Sequence, residues 1–326
     1  MKLFISHQSA LEYWRKHFDA SRIPARQSRR LVLSSNLPTA GQVEATGLTQ
    51  PLHLMIGNPS ARRAILPAIQ HVFKGRTPTG CFVSGGGDLF ISTPEFCYLQ
   101  MASQLSLVEL IELGYELCGT YSMPAGGGSD SPTDVAYNCA LLTHKKQLKA
   151  FAERMPGVKG YKKVVRALRY IQDGSASPME TRLAILLTLP YKLGGYGFPM
   201  PELNSHIIPN KVVKRFSSKM FYSCDLFWAG YNLAVEYDSN LFHTGSGRIA
   251  NDSKKRNTLA SIGVTTITVT SQQIQSATEF EKVARILARN MGKRLVFKNP
   301  EFSTAHDELR KQLLLSNYTK SDLLIT

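Results

Sequence analysis

The chain is 326 residues long, with 43% apolar and 19% charged residues; this supplies ample material for packed cores, excludes wholesale disorder and suits two domains better than one. Lysine and arginine number 39 against 24 acids, a formal net charge of +15, an excess that commonly meets phosphate or another anionic surface. Nowhere do about 18 apolar residues run together, so no membrane-spanning helix is predicted, and Met1-Lys2-Leu3-Phe4-Ile5-Ser6-His7 turns polar too early for a secretory signal.

In chain order, Leu11, Trp14 and Phe18 fall at helical spacing over residues 9–18. Short strands are predicted at 52–56, 81–83 and 89–91, the last two flanking Ser84-Gly85-Gly86-Gly87-Asp88. That glycine cluster is read as a hairpin loop, because a phosphate-cradling loop would run into a helix through Gly-Lys-Ser/Thr. Helical pattern follows Pro94 and returns over 107–117, before a loop rich in Gly, Ser and Pro at 121–132. The stretch 141–170 carries Lys145, Lys146, Lys149, Arg154, Lys159, Lys162, Lys163, Arg166 and Arg169 against the single acid Glu153. A solvated basic face and a footprint for a polyanion both fit this run; on the second reading Lys162, Lys163 and Arg166 are candidate nucleic-acid contacts. The five cysteines (Cys81, Cys97, Cys118, Cys139, Cys224) are widely spaced and form no CxxC pair, which predicts reduced core thiols in a cytoplasmic protein.

Met155-Pro156-Gly157 is the predicted boundary between a smaller α+β domain (1–155) and an α/β domain (156–326) with a central mixed sheet flanked by helices. In the second domain a helix is expected over 177–193 and strands at 212–216, 221–228 and 233–237. A Gly/Ser loop at 244–247, a helix over 251–262, a strand at 265–270 and a last long helix over 277–289 complete it.

Two of these strands carry acids: Asp225 in one, Glu236 and Asp238 in the next, across a short turn containing Gly230. Side chains alternate along a strand, so Glu236 and Asp238 share a face. Carboxylates within apolar strands are costly unless paired with a base or bound to a cation, and an all-oxygen donor set favours Mg²⁺ or Mn²⁺. His243, just beyond, suits a general acid or base, a phosphate contact, or no role at all. Lys254, Lys255 and Arg256 lie close in sequence to the acids and are candidates to hold substrate phosphate. Glu180 is explained locally: Ser177-Pro178-Met179-Glu180 has the form of a capping box, with Pro at the first helical position.

Taken together, Ser177-Pro178-Met179-Glu180-Thr181-Arg182, Asp225, Val235-Glu236-Tyr237-Asp238, His243, Asp252, Arg256, Leu259, Gly263 and Val269-Thr270 resemble the very-short-patch-repair-like branch of the PD-(D/E)XK nuclease superfamily. The resemblance runs from near residue 165 to near 292. It implies a restriction-endonuclease-like domain and a metal-dependent DNA endonuclease or nickase. Asp225 and Glu236 would bind Mg²⁺ (or Mn²⁺), Glu180 would complete the site, and Asp238 and His243 would belong to it. The superfamily's Lys, two residues after the second acid, is Asp238 here, and the Gly that often follows is Ser239. These departures keep open a catalytically inactive DNA-binding or regulatory protein of a toxin–antitoxin or phage-defence system. The first domain, through residues 8–15 and Ser92-Thr93-Pro94-Glu95, more loosely resembles accessory regions of abortive-infection antitoxin and regulator-like proteins, which implies a role in selecting substrate or a protein partner.

Overall fold

The structure, a computed structural model, describes residues 2–17, 24–33, 39–58, 68–125, 134–208, 220–238, 246–296 and 300–315, with backbone only at 40, 246–252, 300 and 315. It is mixed α/β, with mixed sheets flanked by helices. The chain divides into two units, Met1–Asp173 and Gly174–Thr326. Among the described residues no helix is long and apolar enough to cross a membrane.

Unit 1 contains β1 (Leu3–Ile5), α1 (His7–Lys16), α2 (Ala40–Glu44), β2 (Leu52–Ile56), β3 (Ala68–Val72), β4 (Phe82–Gly86) and β5 (Leu89–Ser92). These are followed by α3 (Pro94–Met101), α4 (Leu107–Leu117), β6 (Tyr121–Ser122), β7 (Ala136–Tyr137), α5 (Lys145–Glu153) and α6 (Tyr161–Ala167). The main sheet has the order β3-β2-β1-β5-β4. Its β4–β5 hairpin, with Gly86 and Gly87 at positive φ, is the one the glycine cluster predicts. Thr93 caps α3 by accepting from Phe96 N–H, Pro94 opens the helix, and every α3 residue is buried. All five cysteines are buried and free.

Met155-Pro156-Gly157 is not the domain boundary. It is the turn between α5 and α6, and α5 packs on α3 while α6 packs on α4, because Leu148, Phe151, Val164 and Ala167 bury the apolar faces of these two basic helices in the first unit's core. The first unit is therefore the longer of the two rather than the smaller.

Unit 2 contains α7 (Pro178–Thr188), β8 (Glu202–Ile207), β9 (Tyr222–Trp228), β10 (Leu233–Asp238), α8 (Ser246–Ser261), β11 (Thr265–Thr270), α9 (Ser271–Gln275), α10 (Ala277–Asn290) and α11 (Pro300–Arg310). The sheet order is β11-β10-β9-β8. β10 runs parallel to β11 and antiparallel to β9, which is antiparallel to β8. Cys224, Phe227, Ala234, Leu259 and Val264 form a core beneath α8. The helix predicted over 177–193 stops at Thr188: Pro190 cannot continue it, and a 3₁₀ turn follows at Tyr191–Leu193. α8 starts at Ser246, inside the predicted Gly/Ser loop, and α11 follows what was expected to be the last helix. The predicted strand at 212–216 lies outside the described residues.

Candidate metal-dependent active site

Register lines the polar groups up across the second sheet. The β8–β9 ladder pairs Leu203 with Leu226 and Ser205 with Cys224, which places Asn204 opposite Asp225. The β9–β10 ladder ends with Val235 against Leu226, one step before Asp225 and Glu236 would meet. There Asp225 Oδ2 accepts the Tyr237 N–H at 2.7 Å in place of a ladder bond. Across the next pair Glu236 faces Thr268. Asn204, Asp225, Glu236 and Thr268 thus form one row over four strands, at the level where β10 passes from buried Val235 to exposed Asp238.

Asp225, Glu236, Asp238, Lys255, Arg256 and Thr268 line a cavity of about 210 Å³. Glu236 Oε2 accepts from Lys255 Nζ at 2.6 Å. Among the described residues its other oxygen, Oε1, is buried without a hydrogen-bond partner, and so is Thr266 Oγ1 on the same cavity wall.

Glu180 sits buried at the start of α7. Its backbone N–H donates to Ser177 Oγ at 3.1 Å, the predicted cap. The reciprocal half of the box is displaced: Glu180 Oε2 accepts from Ala176 N–H at 2.9 Å and from Asn204 Nδ2 at 2.7 Å. Asn204 also donates to Gly174 O, and holds φ at +47°, a left-handed conformation that asparagine tolerates better than most residues. The cap and the site readings of Glu180 are therefore compatible, since one carboxylate closes the helix and reaches the row.

The three acids act on one another. Burial, then the Glu180 and Glu236 charges, push the Asp225 carboxyl up to about 7, against the Tyr237 N–H and Lys255, which favour ionisation. Burial likewise raises Glu180, with Glu236 adding to the shift and the Ala176, Asn204 and Ser177 hydrogen bonds opposing it. Among the described residues no group of three His, Cys, Asp or Glu side chains is placed to hold a metal ion. The two carboxylates Asp225 and Glu236 still suit Mg²⁺, which keeps several waters and takes one or two carboxylates together with substrate phosphate. Glu236 Oε1 is a buried oxygen with no hydrogen-bond partner among the described residues.

Of the residues expected from sequence, Asp225, Glu236, Asp238, Lys255 and Arg256 share the cavity; Glu180 does not line it but bonds to Asn204, opposite Asp225 in the row, and its charge acts on Asp225. Lys254 is exposed and does not line it. His243 and Ser239 lie outside the described residues, as does the Asp252 side chain. Lys162, Lys163 and Arg166 belong to α6 of unit 1. The Lys163 ammonium binds Leu105 O at 2.5 Å, so Lys162 and Arg166 are the exposed pair. Sequence reading missed Asn204, hidden in a strand that follows two prolines, and Lys255 as the partner of Glu236. Neither a protein-family model, nor a curated protein, nor a solved structure matches the chain.

Proposed function

We propose that unit 2 is a phosphodiesterase acting on DNA with a divalent cation, Mg²⁺ or Mn²⁺, held by Asp225 and Glu236. The observation that carries this reading is the shortage of ion pairs at the row: among the described residues Lys255 is the one base paired with Glu180, Asp225 or Glu236, and a buried Glu236 oxygen has no hydrogen-bond partner. When bound, the cation supplies Lewis-acid polarisation of the phosphoryl group. Asp225, pushed up to about 7, shares its proton with solvent near neutral pH, and its Oδ2 accepts from the Tyr237 backbone N–H. Asp225 and Glu236, both ionised, would hold the cation. Glu180, fixed by Asn204, keeps negative potential behind them. Arg256 and Lys255, on the α8 wall of the cavity, face the incoming phosphate and stabilise the charge that gathers on it as water attacks phosphorus and the leaving oxygen takes up a proton. The superfamily motif expects a lysine at Asp238; here an ammonium reaches Glu236 from α8 instead.

The test is cleavage of supercoiled, linear and single-stranded DNA by the full chain with Mg²⁺ or Mn²⁺. Cleavage is expected to vanish with EDTA and to fall at least about 100-fold in Asp225→Asn and Glu236→Gln. If the wild type leaves all three substrates intact with either metal, the hydrolytic reading fails.

The Lys255–Glu236 ion pair favours a second reading, a catalytically inactive fold of this kind that binds DNA or regulates. It predicts salt-dependent DNA binding that is indifferent to EDTA and to Asp225→Asn.

A further inference from the structure

Unit 1 holds a larger cavity, about 730 Å³, within the range of small-molecule sites at about 300–1,000 Å³. It lies beside the β3 and β2 end of the sheet, where three imidazoles from three segments meet: His7 at the start of α1, His53 on β2 and His71 on β3. His71 Nε2 and His53 Nδ1 are 3.0 Å apart and share a hydrogen bond. The His71 ring stacks on His7 with centroids 3.6 Å apart and planes at 18°. His7 is fixed at backbone and ring: its backbone N–H donates to Gln100 Oε1 at 3.1 Å, and its ring Nδ1 meets Ser6 Oγ at 3.0 Å. Its φ of +48° is a conformation that costs a non-glycine residue about 1 kcal/mol or more and that clusters at ligand sites.

The chemistry of the walls selects a ligand. Among the described residues no acid lines this cavity, and its fully charged groups are the exposed lysines Lys74 and Lys159. Burial, then His71, His53 and Lys159, hold His7 neutral, so its imidazole offers a polar group while the lysines offer charge. Histidine nitrogens turned onto each other do not converge on a metal, in keeping with the absence of a three-donor group among the described residues. Met55, Phe73 and Phe96 give the cavity an apolar side, with Phe73 edge-to-face on Phe96 at 5.9 Å. A hollow of this volume accommodates one nucleotide.

We propose that this cavity binds a phosphorylated aromatic ligand of nucleoside monophosphate size, its phosphate held by Lys74, Lys159 and His71 and its ring against Phe73 and Met55. The same chemistry is offered by a free mononucleotide and by the 5′-phosphorylated end of a single strand. The site lies wholly in unit 1, so it stands whether or not unit 2 hydrolyses DNA.

Isothermal titration calorimetry on the full chain in EDTA tests it, with AMP, UMP, a 5′-phosphorylated single-stranded octanucleotide, adenosine, ribose 5-phosphate and inorganic phosphate as probes. AMP or UMP is expected to bind saturably at millimolar concentration or below, about tenfold more tightly than adenosine, ribose 5-phosphate or inorganic phosphate. Lys74→Glu and Lys159→Glu, both at exposed positions, are expected to weaken binding at least about tenfold each, with far-UV circular dichroism unchanged. Asp225→Asn is expected to bind as the wild type does, which separates this site from the one in unit 2. Tighter binding of the octanucleotide than of AMP assigns the ligand to strand ends, and the reverse assigns it to free nucleotides. The proposal is overturned by an absence of saturable heat with every nucleotide probe, by lysine variants that bind as the wild type does, or by inorganic phosphate binding as tightly as AMP.

Discussion

Replacing Asp225 by Asn tests the electrostatics of the acidic row without assuming catalysis. The amide keeps an oxygen for the Tyr237 N–H and removes the charge. In the folded chain Asp225 titrates at about 7, against an ordinary value of 3.8, so the folded state holds a proton that the unfolded chain releases between those values. A carboxyl raised in this way contributes stability that is fully present below about pH 4 and lost as pH rises through about 7. At about 1.4 kcal/mol per pH unit, its ionisation costs unit 2 on the order of 4 kcal/mol. The stability advantage of Asp225→Asn over the wild type should therefore grow by about 2–3 kcal/mol between pH 5 and pH 8. The chain has 2 tryptophans, Trp14 in unit 1 and Trp228 in unit 2, so 5-fluorotryptophan labelling gives each unit its own ¹⁹F signal during urea unfolding in EDTA. Saturating Mg²⁺ at pH 8 should then stabilise the wild type, by about 2.7 kcal/mol at one hundred times its dissociation constant, and the variant much less. An advantage that stays constant or shrinks with rising pH would refute the mutual repulsion assigned to Glu180, Asp225 and Glu236.

The other predictions use the same two reporters. Lys255→Met leaves the Glu236 carboxylate without its ammonium and should cost unit 2 about 1–3 kcal/mol; adding Glu236→Gln should recover part of it, and strict additivity in the double-mutant cycle would show the pair to be inert. Asn204→Ala removes a hydrogen bond to the Glu180 carboxylate and places a Cβ-bearing residue at positive φ without asparagine's local compensation, for a loss of about 2 kcal/mol or more at pH 7. Asn204→Gly retains the backbone freedom and should lose less, so equal losses would argue against the strain. In unit 1, burial and then His71, His53 and Lys159 lower the His7 pKa to about 2. The stability tied to that depressed value is present above about pH 6.5 and lost as pH falls, by about 2 kcal/mol at pH 5. His7→Gln should flatten this acid limb of the Trp14 signal, and an unchanged limb would contradict the assignment.

What the sequence made legible follows from how far apart the cooperating residues lie. Asp225, Glu236 and Asp238 could be placed on one site because strand alternation and a short turn act within 14 residues. The turn itself differs in detail, since Asn232 at φ +46° supplies the left-handed position while Gly230 sits within the 3₁₀ turn at Ala229–Tyr231. Local spacing showed Glu180 as a cap and only the family resemblance placed it in the site; its bond to Asn204 was not legible, because Asn204 lies 24 residues away in a strand that follows Pro199 and Pro201. β1 is three residues long, too short for periodicity to register, although Leu3, Phe4 and Ile5 are all buried at the centre of the first sheet. The misplaced boundary has a related cause: a Pro-Gly pair marks any sharp turn, and only the apolar faces of α5 and α6 against α3 and α4 reveal that this one lies within a unit.

The strongest argument that the acidic row serves a cation comes from the protein's own treatment of buried acids elsewhere. In unit 1 each has a basic partner: Glu116 meets Arg15 through two hydrogen bonds of 2.8 Å, Glu95 meets Arg26 at 2.8 Å, and Glu12 meets Lys16 at 2.7 Å. Threonines or backbone N–H groups add to the shell, Thr143 on Glu95 and Thr49 on Glu12, although Glu95 Oε2, like Glu236 Oε1, has no hydrogen-bond partner among the described residues. That is how a fold holds carboxylates for structural reasons, since an unpaired buried charge is far more costly than a paired one. In unit 2 the pattern breaks. Among the described residues Lys255 is the one base in an ion pair with Glu180, Asp225 or Glu236, and it pairs with Glu236 alone. The remaining charge has two outlets: a proton, as the raised Asp225 value records, or a cation taken from solvent. A proton relieves one carboxylate and leaves Glu236 Oε1 buried and, among the described residues, unsatisfied, whereas the divalent ion we propose would answer both at once.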